Sequence, residues 1–249
     1  MKGVILAAGL GSRLAPLTTV LPKPLLAVMG EPLIYYPLEA LVANAVDEVV
    51  IVTGFRGKRI RESLGSGKRW GISIEYVKNA DYHLGNALSM AAVRDLVADE
   101  PFVLCMADHV IEAKLVSALF EVPPSVLRAL CVDRRPLKSL DLEDATRVWV
   151  DEGSFVVDIG KGLTPWNGVD TGVFMLDALI FDAIDDLRLC TDPPYELSAA
   201  LRVLLEAGER LWATDISGCF WADVDTMADL ERVERILARE LGLASCDLV

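Results

Sequence analysis

The sequence predicts an α/β protein, a three-layer αβα sandwich around a mixed, mainly parallel sheet with a small antiparallel lobe on one side. Three observations carry this expectation. Short runs rich in Val and Ile alternate with amphipathic stretches from the N-terminus onward. The runs are apolar at successive positions, as strands covered by helices on both faces require. Apolar residues make up 53% of the 249 positions and charged ones 24%, enough for a large core at a length suited to one domain.

Taken in order, 3–7 reads as a buried first strand, too short an apolar run for a signal peptide. A helix follows over 32–45, with Pro32 in its first turn and Leu33, Leu38, Leu41, Val42 and Ala45 along one side. Strands are expected at 48–53 and 72–77, a helix at 86–97 and a fully buried strand at 102–106. Beyond residue 125 the texture changes. Strand-like runs at 127–132, 147–150, 155–159 and 173–176, with few helices between them, suggest antiparallel additions at a sheet edge. Helices return at 196–207 and 227–241, around a strand-like 212–216. No repeat, low-complexity tract or Pro/Ser-rich linker divides the chain, so one domain over 1–249 is expected.

Charge narrows the function. Acidic residues outnumber basic ones 37 to 24, a formal charge of -13, which disfavours nucleic acid or an anionic membrane as partner. No stretch approaches the roughly 20 apolar residues of a spanning helix, so membrane insertion is not expected. The five cysteines (Cys105, Cys131, Cys190, Cys219, Cys246) are odd in number and never in a C-x-x-C pair. Cys105 and Cys131 lie in apolar runs and read as reduced core residues of a cytoplasmic protein. With only His83 and His109, no His/Cys zinc cluster can assemble.

Against that acidic background, residues 1–30 hold Lys2, Arg13 and Lys23 and no acid. Gly9 and Gly11 follow the first strand, where backbone amides can approach an anion closely. The spacing is neither G-x-G-x-x-G nor the Walker pattern. Pro22 and Pro24 stiffen the chain around Lys23. Asp108, in Met106-Ala107-Asp108-His109 at a strand end, suits Mg²⁺ held against phosphate, or equally an Asx turn or N-cap. His109 reads as its hydrogen-bonding neighbour. In Phe220-Trp221-Ala222-Asp223-Val224-Asp225-Thr226, alternation puts Asp223 and Asp225 on one face, while Asp225 or Thr226 also fits a helix N-cap. Lys161, between Gly160 and Gly162, is placed to reach a phosphate or simply to form a surface turn. Asn86, after Gly85, suits either a base edge or a helix cap. The cluster Arg56, Lys58, Arg59, Arg61, Lys68 and Arg69 reads as a solvated face, with steering of an anionic substrate as a lesser reading.

The segment LAAGLGSRLAPLTTVLPKPL, with MADHV, VDRRP, EDATRV, DIGKGL, VDTGVF and FWADVDT, resembles the sugar-1-phosphate nucleotidylyltransferases, most of all the CTP:inositol-1-phosphate cytidylyltransferases, over roughly 3–230. The resemblance implies a Rossmann-like nucleotide-diphospho-sugar transferase fold with a nucleotide-binding half (1–125) and an acceptor-binding half with the C-terminal helix (126–249). It implies that Gly9, Gly11, Ser12, Arg13 and Lys23 hold the triphosphate, and that Leu6, Ala7, Ala8, Gly85 and Asn86 surround cytosine and ribose. Asp108 and Asp225 would bind Mg²⁺. Lys161 would contact the acceptor phosphate, and Asp170, Thr171 and Gly172 would lie by the inositol. Arg13, Lys23 and Asp108 would be catalytic. The implied partners are CTP and a small phosphate monoester, with a homodimer and a separate downstream CDP-alcohol transferase both compatible.

The reaction so implied is attack of an acceptor phosphate oxygen on the α-phosphorus of CTP, with release of pyrophosphate. A phosphate monoester is largely dianionic at neutral pH, its second pKa being about 6, so it needs no general base. Two alternatives share these residues: another nucleotidylyltransferase acting on a sugar 1-phosphate or phosphocholine, and a non-catalytic nucleotide-sensing subunit.

Overall fold

The computed structural model describes residues 1–97, 100–136, 142 and 144–240. The N-terminal half runs through β1 (Gly3–Ala7), the short pair β2 (Ala27–Val28) and β3 (Glu31–Pro32), α1 (Tyr35–Ala43), β4 (Glu48–Thr53), α2 (Gly57–Leu64) and β5 (Ser73–Lys78). It continues with α3 (Asn86–Ala91), α4 (Arg94–Val97), β6 (Phe102–Met106), β7 (His109–Ile111) and α5 (Ala113–Phe120). The second half adds β8 (Ala129–Asp133), β9 (Arg147–Val150), β10 (Val156–Gly160), β11 (Gly168–Leu176), α6 (Leu179–Cys190) and α7 (Leu197–Glu206). It closes with β12 (Trp212–Asp215), β13 (Trp221–Asp223) and α8 (Met227–Glu240).

One mixed nine-stranded sheet organises these elements, in the order β10-β9-β11-β6-β1-β4-β5, with β8 beside β11 and β12 beside β8. Strands β5, β4, β1 and β6 are parallel neighbours. Their alternate residues feed two cores. Val4, Leu6, Val50, Val52 and Leu104 pack with Met90 of α3, Phe181 of α6 and Leu201 of α7. Ile5, Ala7, Val49, Ile51 and Cys105 pack on the other face with Leu38 and Leu41 of α1, Ile60 of α2 and Leu115 of α5. The period-2 pleat thus builds both outer layers. A third cluster joins Val28, Leu33, Val110, Phe220, Val224, Leu230 and Val233, and seats α8 beside the β7–β13 pair.

The mixed sheet and its flanking helices agree with the expected fold class, and several elements differ in detail. The 32–45 helix begins at Tyr35, because Pro32 pairs with Ala27 in the β2–β3 hairpin and Pro37 takes the first turn instead. The 86–97 helix is two segments, with Val93 N bonding only three residues back to Met90 O. The 173–176 strand starts earlier, at Gly168, and bears an irregularity between Asp170 and Phe174 that shifts its register against β8. β11 pairs antiparallel with β6, β8 and β9, as expected of an edge addition, but β12 runs parallel to β8. The antiparallel strands therefore extend the main sheet. Three helices went unread: Gly57–Leu64, Ala113–Phe120 and Leu179–Cys190. Among the described residues, no helix is long and apolar enough to cross a membrane, and Cys105, Cys131, Cys190 and Cys219 are free thiols.

β6 carries its load through Phe102, wholly buried and stacked on Phe181 of α6 at 6.0 Å between ring centroids. Truncating such a ring leaves a cavity that a sheet strand cannot collapse into. Phe102→Ala is expected to cost about 3–5 kcal/mol of unfolding free energy in urea titration; a cost below about 1 kcal/mol would contradict this account of the core.

Candidate active site

The site starts at the C-terminal ends of β1 and β6, where open α/β sheets bind ligands. Past β1 the chain turns through Gly11 at φ 64°. A β-carbon there would lie 2.7 Å from Lys23 Cβ and 3.1 Å from Thr18 Cγ2, so only glycine lets these segments close up. The Thr18 hydroxyl donates to Gly11 O at 3.0 Å. A 3-10 turn over Lys23–Leu25, closed by Leu25 N to Pro22 O at 2.8 Å, follows Pro22. It delivers the Lys23 side chain, 7% exposed, into the protein.

Two carboxylates meet it. The Lys23 ammonium donates to Asp108 Oδ2 at 2.6 Å and to Asp225 Oδ1 at 2.5 Å. These aspartates, far apart in the chain, are brought together by β7 and β13, which pair antiparallel with His109 opposite Asp223. Val224 N adds a bond to Asp108 O at 3.0 Å. The α8 cap is a reciprocal pair: Asp229 N donates to Thr226 Oγ1 at 3.2 Å, and Thr226 N to Asp229 Oδ2 at 2.8 Å. Thr226 is therefore the cap, and Asp225 is left to face the site. Glu112 precedes α5, so Asp108 caps no helix either. Arg13 donates to Asp225 Oδ2 at 2.7 Å and to Asp144 Oδ2 at 2.6 Å.

Burial and charge oppose each other throughout this cluster. Burial works against the Lys23 ammonium, but Asp108 and Asp225 outweigh it and hold the pKa above the ordinary lysine value. Burial alone would raise Asp108; Lys23 and the His109 hydrogen bond instead keep it well below the usual carboxylate range. His109 Nδ1 lies 2.8 Å from Asp108 Oδ1. Burial disfavours its imidazolium, yet Asp108 raises its pKa on balance. Gly172, at φ 73°, makes room for this ring: a β-carbon would sit 2.8 Å from His109 Nε2.

Two clefts share Asp108 and Asp225. One, of about 280 Å³, is lined by Gly9, Leu10, Gly11, Ser12, Arg13 and Lys23 as well. The other, of about 190 Å³, is lined on its far side by Asn86, Thr146, Lys161, Asp170, Gly172, Glu196 and Trp221. Burial lifts Asp170 to about 6, with only the Gly172 amide and His109 opposing it. It also raises Asp223. Among the described residues, no group of three or more His, Cys, Asp or Glu side chains could hold a metal by itself.

Most of the expected residues meet here, and a few do not. Thr171 is fully buried and its hydroxyl donates to Cys131 O at 2.9 Å, so it faces the core and not the cleft that Asp170 and Gly172 line. The strand pleat turns it away from the face its neighbours present. Leu6, Ala7 and Ala8 are buried at the end of β1 and line neither cleft. Gly85 is pressed against the Tyr195 backbone, 2.2 Å from Tyr195 O to a built β-carbon. Asn86 Oδ1 accepts the Leu197 amide at 2.7 Å, capping α7 across the chain, so its remaining capacity is its two N–H donors. Sequence reasoning passed over Asp144, Thr146, Glu196 and Trp221. The first two lie in the EDATRV motif and Trp221 in FWADVDT, motifs that carry no role for them by themselves, whereas nothing local marks Glu196.

A profile for nucleotidyl transferases matches residues 2–123. A bifunctional IPC transferase and DIPP synthase from Rubrobacter xylanophilus is 35% identical over 236 residues, which are 94% of this chain and 51% of that protein. Its counterpart from Thermococcus kodakarensis is 31% identical over 96% of this chain and 51% of its own length. The chain thus spans about half the length of these relatives. The solved inositol-1-phosphate CTP transferase from T. maritima superposes with a TM-score of 0.81 at 27% identity, covering 94% of this chain and 95% of that one. With the glycine turn, Lys23 and the two strand-end aspartates in one place, the chain carries a nucleotidyl transferase domain.

Proposed function

We propose that the chain transfers CMP from CTP to inositol 1-phosphate, giving CDP-inositol and pyrophosphate. The observation that carries this reading is the meeting of two clefts at Asp108 and Asp225, with cations on both sides. The choice of CTP and inositol 1-phosphate is supported by what the T. maritima neighbour is named for, and a CDP-alcohol transferase is the downstream partner that the product would suit.

On this reading the amides and Ser12 of the glycine turn, with Arg13 and Lys23, bind the triphosphate. The amide group of Asn86 donates to the base; Leu6, Ala7, Ala8 and Gly85 contribute by shaping the wall behind it. Lys161 binds the acceptor phosphate, while Asp170, Glu196 and the backbone at Gly172 accept hydrogen bonds from the acceptor's hydroxyls. Repulsion between the two anions brought together is the main barrier, and held cations lower it by neutralising charge on the α-phosphoryl oxygens and the leaving pyrophosphate. The acceptor phosphate arrives ionised, so no side chain has to remove a proton.

The donor set fits Mg²⁺. Two hard carboxylate oxygens already converge on one cation, the Lys23 ammonium, and Mg²⁺ takes one or two carboxylates together with substrate phosphates. Asp108 and Asp225 would hold it. Bound there, it would supply Lewis-acid neutralisation of phosphate charge.

A pyrophosphate-release assay crossing CTP, UTP, GTP and ATP with inositol 1-phosphate, glucose 1-phosphate and phosphocholine tests the assignment. The pair CTP and inositol 1-phosphate is expected to be fastest; preference for UTP with glucose 1-phosphate would replace it with a sugar nucleotidyltransferase. Asp108→Asn and Lys23→Ala should each lower turnover by ~10²-fold or more, as loss of a preorganised charge does, and near-normal rates in both would sink the roles given them. Lys161→Ala should raise the acceptor KM and leave the CTP KM in place, which initial-rate kinetics can read.

Asp170 adds a pH signature. Folded Asp170 keeps its proton up to about pH 6, whereas an unfolded aspartate releases it near ~3.9. The folded state binds the extra proton in that window, so this residue's contribution to stability falls as pH rises through it. Asp170→Asn keeps the acceptor for Gly172 N and removes the titration. In urea unfolding it should exceed the parent protein by on the order of 1–2 kcal/mol at about pH 7.5 and match it near pH 4. A constant difference across that range would refute the assignment.

A further inference from the structure

Among the cations of the 56–69 stretch, Arg56 is exposed and yet bonded to a loop distant in the chain. It stands between β4 and α2 at φ 50° and ψ 30°, the left-handed region that a residue with a β-carbon rarely adopts. Its neighbours fasten this turn to the end of β1. Phe55 N donates to Ala8 O at 3.2 Å, and a β-carbon on Gly54 would lie 2.6 Å from that same carbonyl. From this base the guanidinium reaches across to the loop beyond the glycine turn. Nη1 donates to Val20 O at 3.0 Å and Nη2 donates to Thr19 O.

Those two carbonyls lie where packing contributes little. Leu17 and Val20 are 42% and 64% exposed, so the segment presents its apolar side chains to water. Thr18 between them is buried, and its hydroxyl holds Gly11 O. Pro22 and Lys23 follow directly. A continuous path therefore runs from Arg56 through Thr19 and Val20 to Gly11 on one side and Lys23 on the other, although Arg56 lines neither cleft. A backbone outlier held in place beside a ligand loop points to function more than to folding, since glycine would occupy this conformation without strain.

We propose that Arg56 is a positioning residue for the nucleotide. It clips the 17–22 segment in place, so that the Gly11 turn and Lys23 are preformed when the triphosphate arrives. The inference rests on the nucleotide reading of the glycine turn given above. Without the clip, the loop must be ordered at the moment of CTP binding, and apparent affinity falls by the fraction of molecules in the competent arrangement. The acceptor side, built from β11, β10 and α7, is untouched.

The test compares the full chain with Arg56→Gly and Arg56→Lys, using calorimetry for CTP binding, initial-rate kinetics and thermal unfolding. Arg56→Gly removes the guanidinium and relieves the left-handed backbone, so its melting temperature should equal or exceed the parent's. Its CTP Kd and KM should rise about fivefold or more, as loss of two hydrogen bonds to an ordered loop permits. The acceptor KM should stay put, with kcat at saturating CTP within about twofold of the parent. Arg56→Lys, able to reach one carbonyl at a time, should fall between the two. Amide exchange across residues 9–23 should quicken in Arg56→Gly alone. Unchanged CTP affinity in Arg56→Gly, or an equal rise in both KM values, overturns the proposal while leaving the cytidylyltransferase reading intact. A parent protein that binds no CTP overturns both.

Discussion

The arrangement turns on one ammonium group. Lys23, nearly out of contact with water, sits between Asp108 and Asp225 with a hydrogen bond to each. A buried charge is tolerated only when opposite charge and hydrogen bonds surround it, and removing one partner leaves the rest uncompensated. Much of the surrounding structure meets that condition. The prolines and the 3-10 turn deliver the lysine, the β7–β13 pair brings both aspartates within reach, and His109 holds the second oxygen of Asp108. Such a cluster is weak evidence for stability, because desolvating three charged groups offsets much of their attraction. Its consequence is electrostatic. The Lys23 ammonium and the Asp108 carboxylate stay ionised across the pH range in which a phosphorylated substrate carries its full charge.

The same groups explain why two clefts and not one appear. Asp108 and Asp225 form the floor common to both. The glycine-turn side is lined by backbone amides and long cations, a surface suited to many phosphate oxygens. The other side mixes one lysine with carboxyl groups and an indole, suited to a body with hydroxyl groups and one phosphate. Trp221 also holds the buried Asp133 through its indole N–H at 2.9 Å, so this wall is braced from behind.

Much of this was legible in the sequence, for identifiable reasons. The parallel strands could be read because each is apolar on both faces and bounded by glycine or a charged residue, and β1, β4 and β6 have the expected limits. The cationic character of residues 1–30 could be read because acids are absent there. What escaped depends on contacts distant in the chain. Helix α2, GKRIRESL, has two buried residues and a run of cations, so it read as surface. The cap on α7 comes from Asn86, which is 111 positions away from Leu197. Asp170 and Thr171 are adjacent, and the pleat of β11 sends the first to the cleft and the second to Cys131 O, which lies 40 positions away. The basic stretch divides in a similar way. Arg69 donates to the Tyr35 hydroxyl and stacks over Tyr35 and Trp70, while Lys58 remains in solvent.

β11 has a mechanical meaning as well. Its C-terminal half is bonded to β6, the strand that leads to Asp108, and its N-terminal half to β9 beside the cleft that Lys161 lines. One strand, irregular between Asp170 and Phe174, therefore runs beside both clefts. Parting the molecule between the two clefts would have to break the pairing of this strand with β6 or with β9, so the sheet holds the clefts at a fixed spacing.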